Sequence, residues 1–202
     1  MFTGIITHFG TILKIENFTT IKKITLKIEG AEIQVGDSVS CDGICLTAQH
    51  IYDDEYAFDV SLETQSITNV KNWYCGYICN IELAMLPNTR LGGHFVTGHI
   101  DGTAQVVKAE CQDGTMQLGI KCAPNIEPKW VLKGSLAING VSLTINQIID
   151  NKAYLTIIPH TFSKTNLNHL MVGKFVNIEF DMICKMVYEQ TLLFREQSNA
   201  KP

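Results

Sequence analysis

The stretch Ser38-Val39-Ser40-Cys41-Asp42-Gly43-Ile44-Cys45-Leu46-Thr47 is written a second time as Ser135-Leu136-Ala137-Ile138-Asn139-Gly140-Val141-Ser142-Leu143-Thr144. The two copies are 97 positions apart, the interval from Cys45 to Ser142. In both, a polar turn residue and a glycine precede an apolar residue, a small side chain with a nucleophilic atom, and Leu-Thr. A match of this length predicts a duplicated domain.

The repeat continues on both sides of this stretch. Asn80-Ile81-Glu82 matches Asn177-Ile178-Glu179 at the same interval, and Phe2 to Ile6 matches Val96 to Ile100 at an interval of 94 residues. Each unit therefore spans roughly 90 residues, within the usual range for a small domain. The repeat divides the chain into residues 1–90, residues 91–183 and a tail at 184–202.

Alternating apolar residues predict strands in both units. Ile24-Thr25-Leu26-Lys27-Ile28 alternates strictly, Tyr56 to Leu62 places its apolar residues on one face, and residues 2–14 are expected to form a bent strand. Asp42-Gly43 marks a hairpin turn, and Thr64 to Val70 has room for one or two helical turns. Many short strands with closely spaced turns are typical of a small antiparallel barrel, so we expect an all-β protein with two barrels.

The tail after Asp181 has a different pattern. Its apolar residues fall near helical spacing, at Ile183, Met186, Val187, Leu193 and Phe194. We expect this apolar stripe to pack against either one of the barrels or the same helix of a neighbouring chain.

The composition excludes several classes of partner. The 202 residues carry a formal net charge of −4, which gives no electrostatic reason to expect a nucleic acid or an anionic membrane as partner. No apolar run approaches the ~18 residues of a membrane span, and the first residues lack the basic flank of a secretory signal. We therefore expect a cytoplasmic protein with no nucleic-acid and no membrane partner.

The seven cysteines predict neither disulfides nor a metal site. Their odd number argues against a disulfide framework. Cys41 with Cys45, and Cys75 with Cys79, resemble two halves of a zinc site, but both spacings are longer than that of a zinc knuckle. The second repeat also lacks the first of these pairs. We expect reduced thiols and no metal.

A glycine-rich segment, Leu91 to Gly102, joins the two units and contains four glycines and two histidines. Such glycines either let the backbone approach a flat ligand or only shape the junction between the units. His94 and His99 are five positions apart, which fits no common metal motif. Cys45 is likewise open to two interpretations, a small buried apolar residue or a reactive group equivalent to Ser142.

Four motifs together resemble those of the riboflavin synthases, in the family's order: Met1 to Ile5, Asp42 to Thr47, Gly92 to Gly102, and Asn139 to Thr144. The resemblance covers the chain from Met1 to about Asp181. It implies two six-stranded antiparallel Greek-key barrels at residues 1–90 and 91–183, and a C-terminal helix at 184–202 that assembles a homotrimer. It also implies transfer of a four-carbon unit between two molecules of 6,7-dimethyl-8-ribityllumazine, giving riboflavin and 5-amino-6-ribitylaminouracil without cofactor or metal. Lumazine synthase is a further partner that the resemblance suggests.

The resemblance implies that the active pocket lies between the N-terminal barrel of one subunit and the C-terminal barrel of the next, and that it holds two ligands, each in a similar pocket of its own. Strand backbone would contact the pteridine ring, and hydroxyl groups would contact its ribityl chain. The first pocket is expected at Gly4, Ile5, Ile6, Cys45, Leu46, Thr47, Asp59, Val60, Ser61, Leu62, Glu63 and Thr64. The second is expected at Gly98, His99, Ile100, Ser142, Leu143, Thr144, Thr156, Ile157, Ile158, Pro159, His160 and Thr161, with Lys133 reaching over from a neighbouring chain.

The reaction requires a base at the C7 methyl group of one lumazine and a nucleophile at C7 of the other. His99 is the expected proton carrier, because histidine side chains titrate near neutral pH. Cys45 and Ser38 supply or position the nucleophile, with a bound water as the alternative. Asp181 pairs with a ribityl hydroxyl or with the region of Ser38. The substrate is itself acidic at this methyl group, so positioning is expected to supply much of the catalysis.

The chain departs from the family pattern at Leu83, where many relatives have arginine, and at Ser61-Leu62, where Met-Pro is common. Both departures affect the first pocket. Two functions other than catalysis are open: related lumazine-binding photoproteins act as optical antennae, and a pair of barrels can be purely structural. The polar residues of the second pocket are all retained, which favours the enzyme.

Overall fold

The computed structural model describes residues 1–199, which form two closed barrels of six antiparallel strands each and a C-terminal helix. Both barrels have the same strand order, β1-β2-β5-β4-β3-β6 and β7-β8-β11-β10-β9-β12. This confirms the predicted fold. The first barrel contains β1 (His8–Asn17), β2 (Ile21–Lys27), β3 (Ser38–Cys41), β4 (Ile44–Tyr52), β5 (Glu55–Ser61) and β6 (Ile78–Leu83). The second contains β7 (Gly102–Gln112), β8 (Thr115–Cys122), β9 (Ser135–Ile138), β10 (Val141–Ile149), β11 (Lys152–Ile157) and β12 (Phe175–Phe180).

Each barrel has a short helix and a 3-10 helix before its last strand. The first barrel has α1 (Leu62–Ile67) and a 3-10 helix at Asn69–Asn72, and the second has α2 (Pro159–Lys164) and a 3-10 helix at Asn166–His169. The Ser61 hydroxyl accepts a hydrogen bond from the Thr64 N–H and so caps α1. The predicted helical turns are present, but α1 begins at Leu62, two residues before the predicted start.

The C-terminal helix α3 spans Met182–Asn199. Residues 200–202, the end of the tail predicted at 184–202, lie outside the described residues. No helix in the described part of the chain is both long and apolar enough to cross a membrane.

Strand alternation builds a separate core in each barrel. Ile24, Leu26, Phe58 and Val60 are fully buried in the first barrel, and the second barrel has its own cluster of the same kind around Leu118. Inward positions are apolar and alternate with exposed ones, so each barrel buries one face of its sheet. Each repeat therefore closes around its own side chains.

The two barrels touch at the hairpin turns of the repeated motif. Asp42 and Asn139 have φ of +46° and +44°, and the glycine that follows each also has a positive φ. A Cβ atom on Gly43 would lie 2.7 Å from the backbone nitrogen of Gly140. Glycine is therefore required at this contact between the two repeats.

Buried asparagines join the barrels around these turns in a symmetric pattern. The Asn80 amide donates to the carbonyl of Asn139, and the Asn177 amide donates to the carbonyl of Asp42, each at 3.0 Å. The side-chain oxygen of Asn177 accepts from the Asn69 N–H at 2.7 Å. Because buried amides are costly unless they are paired, this network fixes the two barrels relative to each other.

Residues 2–14 were predicted to form one bent strand, but the structure divides this segment into two parts. β1 begins at His8, whereas Phe2 pairs separately with Val96 in an isolated bridge. Gly4, with φ of +76°, turns the chain between these two parts. Residues 2–6 consequently leave the first barrel and run along the second.

Candidate active site

In each barrel, one pair of neighbouring strands is hydrogen-bonded along only part of its length. We call the remaining gap between these two strands a seam. β4 and β5 pair from Tyr52 with Glu55 to Ala48 with Phe58. Both strands are fully described, and they do not pair beyond Ala48 and Phe58. Residues 44–47 of β4 and residues 59–61 of β5 are therefore the two edges of the first seam. Backbone groups at such an edge need partners from outside the sheet.

The second barrel repeats this arrangement. β10 and β11 pair from Ile149 with Lys152 to Ile145 with Leu155. Residues 141–144 and 156–157 are then the edges of a second seam. Most of the strand residues predicted to bind substrate therefore lie along the two seams.

A glycine segment from elsewhere in the chain lies against one edge of each seam. The Cys45 N–H donates to the carbonyl of Gly98 at 3.0 Å in the first seam, and the Ser142 N–H donates to the carbonyl of Gly4 at 2.8 Å in the second. The predicted grouping of the pockets is therefore wrong. Gly4, Ile5 and Ile6 belong with the second barrel, and Gly98, His99 and Ile100 belong with the first. The grouping failed because Gly4 to Ile6 precede the first barrel in sequence but cross to the second in space.

Close packing explains the glycines. A Cβ atom on Gly98 would lie 2.5 Å from the Cβ of Cys45, and one on Gly4 would lie 2.6 Å from that of Ser142. Both glycines also have positive φ, near +80°. The repeat thus preserves a close approach of backbone to strand edge at both seams.

Two buried glutamates hold these glycine segments. The Glu82 carboxylate accepts from the N–H and hydroxyl of Thr3 and from the N–H of Gly4, at 2.6, 2.7 and 2.9 Å. The Glu179 carboxylate accepts from the same three groups of Thr97 and Gly98, at 2.7, 2.7 and 2.9 Å. Burial raises the pKa of both carboxyl groups, although these hydrogen bonds oppose the shift. Each barrel therefore anchors the segment that completes the other barrel's seam.

Strand alternation divides the predicted residues into two groups. Polar side chains on the outer face of the barrels can reach a ligand in the seam, and Asp59 has a buried Oδ1 without a hydrogen-bond partner among the described residues. The outer group contains Cys45, Thr47, Asp59, Ser61, Ser142, Thr144 and Thr156. Leu46, Val60, Ile100, Leu143 and Ile157 are buried in the barrel cores and can offer only backbone groups.

The predicted residues beyond the strands lie next to the seams. Leu62, Glu63 and Thr64 form the first turn of α1, after the edge at Ser61. Ile158 precedes α2 and is 57% exposed, and residues 159–161 form the first turn of that helix. These two helix starts are equivalent positions in the repeat.

The four residues predicted to be catalytic do not form a single hydrogen-bonded group within one chain. His99 is exposed and follows Gly98 at the first seam, close to Cys45. Ser38 in β3 lies directly opposite Thr47 in β4, so the two side chains lie on the same face of the sheet. Asp181 lies between β12 and α3, where its Oδ1 accepts from the Ile183 N–H at the start of the helix.

A polar group that the sequence analysis did not select lies at the second seam. His94 Nδ1 is 2.7 Å from the Ser142 hydroxyl, and its Nε2 is buried without a partner among the described residues. Burial lowers the pKa of His94, while the negative charge of Asp181 raises it. A neutral imidazole in this position can accept the hydroxyl proton of Ser142, as a general base requires.

The sequence contained a signal for the glutamates but not for His94. Glu82 and Glu179 are equivalent in the repeat, as are Thr3 and Thr97. Both copies of the sequence therefore contain the same threonine and the same glutamate, which indicated a common role. His94 has no histidine counterpart in the first copy, and only its spatial contact with Ser142 shows its role. Among the described residues, no group of three or more His, Cys, Asp or Glu side chains could hold a metal ion.

Comparison with known proteins places these features in a family. The model of the lumazine binding domain matches residues 3–84 and again residues 97–181. The chain is 38% identical over 190 residues to a riboflavin synthase of Bacillus amyloliquefaciens, covering 93% of this chain and 88% of that protein. It is 35% identical over 201 residues to a riboflavin synthase of Photobacterium leiognathi, covering 98% and 92%. A solved structure of LumP complexed with riboflavin superimposes with a TM-score of 0.80 at 26% identity, covering 89% of this chain and 99% of the other.

Proposed function

The chain belongs to the riboflavin synthase family, and on this premise we propose that it converts two molecules of 6,7-dimethyl-8-ribityllumazine into riboflavin and 5-amino-6-ribitylaminouracil. One lumazine gives a four-carbon unit to the other, so the two products contain all the atoms of the two substrates. No external oxidant or reductant is needed.

The observation that carries the proposal is the pair of equivalent seams. A dismutation of two identical molecules needs two sites of similar shape, and the repeat supplies two open edges with a glycine segment at each. The Gly98 and Gly4 carbonyls already occupy part of these edges, which leaves the remaining backbone groups for the donors and acceptors of a pteridine ring. Hydroxyl groups at Thr47 and Thr144 suit the ribityl chains.

The two seams differ in the groups that can move protons, which suits two substrates with different roles. Ser142 and His94 form a nucleophile and base at the second seam. At the first seam Cys45 replaces the serine, and the exposed His99 is the proton carrier. We propose that Ser38 positions the ligand beside Cys45, and that Asp181 orients His94 through its charge. Correct placement of the two rings then supplies much of the rate, since effective molarity alone is worth ~7–11 kcal/mol in favourable systems.

Assembly into a homotrimer is part of the proposal. Ile183, Met186 and Val187 on α3 are each more than 60% exposed, so neither barrel covers them in the single chain. We propose that α3 packs these side chains against the same helix of a neighbouring chain. This packing would bring the first seam of one chain towards the second seam of the next. Lys133, exposed on its loop with φ of +65°, would reach across to the neighbouring chain.

We also propose three properties that the sequence predicts. The first is the division at residues 1–90, 91–183 and 184–202, which is supported by the end of β6 at Leu83 and the start of β7 at Gly102, although α3 begins at Met182, two residues before the predicted tail. A cytoplasmic location is supported by seven free cysteines, as expected in a reducing compartment. Association with lumazine synthase is consistent with the substrate, which that enzyme's name identifies as its product.

The experiment is to incubate the purified protein with 6,7-dimethyl-8-ribityllumazine alone and to follow the products by chromatography. Riboflavin and the ribitylamino-uracil in equal amounts would establish the dismutation. A His99→Ala variant with unchanged turnover would remove His99 from the mechanism, and a Cys45→Ser variant with most of its activity would exclude a need for the thiol.

A second candidate is a lumazine-binding protein without catalysis. The superposition with LumP complexed with riboflavin favours it, because the same fold can hold a flavin. Tight binding of the lumazine with no riboflavin formed would support this alternative and contradict the enzyme.

A further inference from the structure

A large cleft lies between the barrels, away from both seams. It has a volume of about 880 Å³, within the range of small-molecule sites, and is lined by residues from 69–78 and 166–175 together with Asn139. These two segments are equivalent in the repeat, at an interval of 97 residues. None of the residues predicted to bind the lumazine lines the cleft.

The two walls of the cleft differ where the repeat would make them alike. The first wall is aromatic, with Trp73, Tyr74 and Tyr77. The equivalent residues on the second wall are Leu170, Met171 and Lys174. A joint that only connected the barrels would not need one aromatic wall and one flexible, cationic wall.

The aromatic wall is rigid. Trp73 and Tyr77 stack with ring centroids 5.7 Å apart and planes inclined by 17°. The Trp73 indole donates to Asn69 Oδ1 at 3.0 Å, and the Tyr77 hydroxyl donates to Asp42 Oδ2 at 2.6 Å. Tyr74 is 63% exposed and lies edge-on to Tyr77 at the rim. A flat ring can therefore dock against these side chains without reordering them.

Among the described residues that line the cleft, Lys174 is the one with a charged side chain. Lys174 and His169 are exposed on the second wall. No carboxylate of the described lining accompanies Lys174, and Lys174 makes no ion pair within the described side chains. Opposite the aromatic wall, the ammonium group of Lys174 would attract an anion.

Two acceptors in the cleft lining have no partner. Asn166 Oδ1 and Asn168 Oδ1 are buried without a hydrogen bond among the described groups. Buried polar atoms without a partner are rare and call for an explanation. An N–H donor on a ring held in the cleft would satisfy Asn168 Oδ1 after a small side-chain rotation, whereas the Asn166 amide is held in place by its donation to Asp42 Oδ1 at 2.8 Å.

We propose that this cleft binds a flat heteroaromatic molecule that carries a phosphate, with the ring against Tyr74 and Tyr77 and the phosphate at Lys174. Flavin mononucleotide and adenosine monophosphate both have this chemistry. They are the probes for ligands with a flavin ring and for ligands with a purine ring. The proposal is independent of the dismutation, because it uses no residue of either seam.

The test is equilibrium dialysis of the full chain with flavin mononucleotide or adenosine monophosphate, in the presence of saturating riboflavin to occupy the seams. We expect at least one nucleotide to bind under these conditions, and Lys174→Glu to weaken that binding at least ten-fold. Tyr74→Ala should weaken it similarly, whereas Lys121→Glu, an exposed charge reversal outside the cleft lining, should leave it unchanged.

The outcomes separate this proposal from the proposed function. If riboflavin displaces all of the flavin mononucleotide and adenosine monophosphate does not bind, the cleft is not such a site, whatever the turnover of lumazine. Equal nucleotide affinity in the parent protein, Lys174→Glu and Tyr74→Ala would overturn it as well. Lumazine turnover, measured on the same protein preparations without riboflavin, should be retained in all three variants if the dismutation is correctly assigned to the seams.

Discussion

The carboxylate of Glu82 holds both the N–H and the hydroxyl of Thr3, at 2.6 and 2.7 Å, although the two residues are 79 positions apart. Through this contact the first barrel anchors the segment that completes the seam of the second. Glu179 does the same in the opposite direction through Thr97. Neither seam is therefore complete without the glutamate of the other barrel, so each repeat depends on the other.

Replacement of Glu82 by glutamine should weaken the second seam more than the first. An amide offers one acceptor oxygen where the carboxylate offers two, so a buried donor loses its partner at a cost of ~1–3 kcal/mol. We expect a loss of this size in the free energy of unfolding, and loss of one of two classes of lumazine site in a fluorescence titration. Glu179→Gln should remove the other class.

The exposed Glu110→Gln is the control for these two variants and should change neither stability nor binding. The double variant Glu82→Gln with Glu179→Gln should lose both classes of site. If each single variant weakened both classes equally, the crossed anchoring of the seams would be refuted.

Gly98→Ala should be far more damaging than Gly30→Ala, although both glycines have positive φ, +81° and +70°. An alanine at either position is strained by its backbone conformation, at ~1–2 kcal/mol. At Gly98 the new Cβ would also lie 2.5 Å from Cys45, whereas nothing lies within 4 Å at Gly30. We expect Gly98→Ala to lose most lumazine turnover and Gly30→Ala to retain it, with urea unfolding measured on both. Similar stability and turnover in the two variants would mean that the close approach of Gly98 to Cys45 is unimportant.

The fold was predictable because its signals are local or repeated. The match of Ser38–Thr47 with Ser135–Thr144 indicated two equivalent units, and strand alternation indicated barrels. The strand residues of the seams followed from a family resemblance. The crossing of the glycine segments was not predictable, since it depends on contacts such as Thr3 with Glu82 that link distant positions and leave no local pattern. His94 was missed for the same reason, because its partner Ser142 is 48 positions away.

Ser142→Ala should lower kcat while leaving KM within about two-fold. The change removes the hydroxyl that faces His94 Nδ1 at 2.7 Å but leaves the backbone N–H that binds the Gly4 carbonyl. General acid–base groups typically contribute ~10²–10⁴-fold, so we expect a fall in kcat of at least about ten-fold, with a changed pH profile. Steady-state kinetics across pH would check this, with the exposed Ser66→Ala as control. An unaltered kcat and pH profile would exclude the pair from the mechanism.

Val187→Glu should dissociate the proposed homotrimer. Val187 is 61% exposed on α3, and in a trimer the new carboxylate would be buried in an apolar contact without a partner. Sedimentation velocity should show a shift to monomers, and lumazine turnover should fall with it because sites shared between chains would separate. The exposed Gln190→Glu, on the same helix, should remain assembled. Full turnover by monomeric Val187→Glu would show that one chain suffices for catalysis.

Asp42→Asn should remove a pH dependence of stability that we expect in the parent protein between about pH 4 and pH 6. Burial raises the pKa of Asp42 from its ordinary 3.8 to about 6, although hydrogen bonds from Tyr77, Asn80 and Asn166 oppose the shift. The folded protein therefore holds this proton more tightly than the unfolded chain. Its contribution to stability is complete below pH 3.8 and is lost as the pH rises through about 6, on the order of 3 kcal/mol.

Asparagine is the apt replacement at Asp42, because Asn139 occupies the same turn of the second repeat with nearly the same φ. Urea unfolding at several pH values should show the parent losing stability relative to Asp42→Asn as the pH rises from 4 to 7. Taking this difference cancels the contributions of Glu82 and Glu179, whose pKa values are also raised. The reverse variant, Asn139→Asp, places a second buried carboxyl at the equivalent turn and should steepen the loss over the same range. Parallel stability curves for the parent and Asp42→Asn would mean that Asp42 titrates as an ordinary carboxyl, despite its complete burial between the barrels.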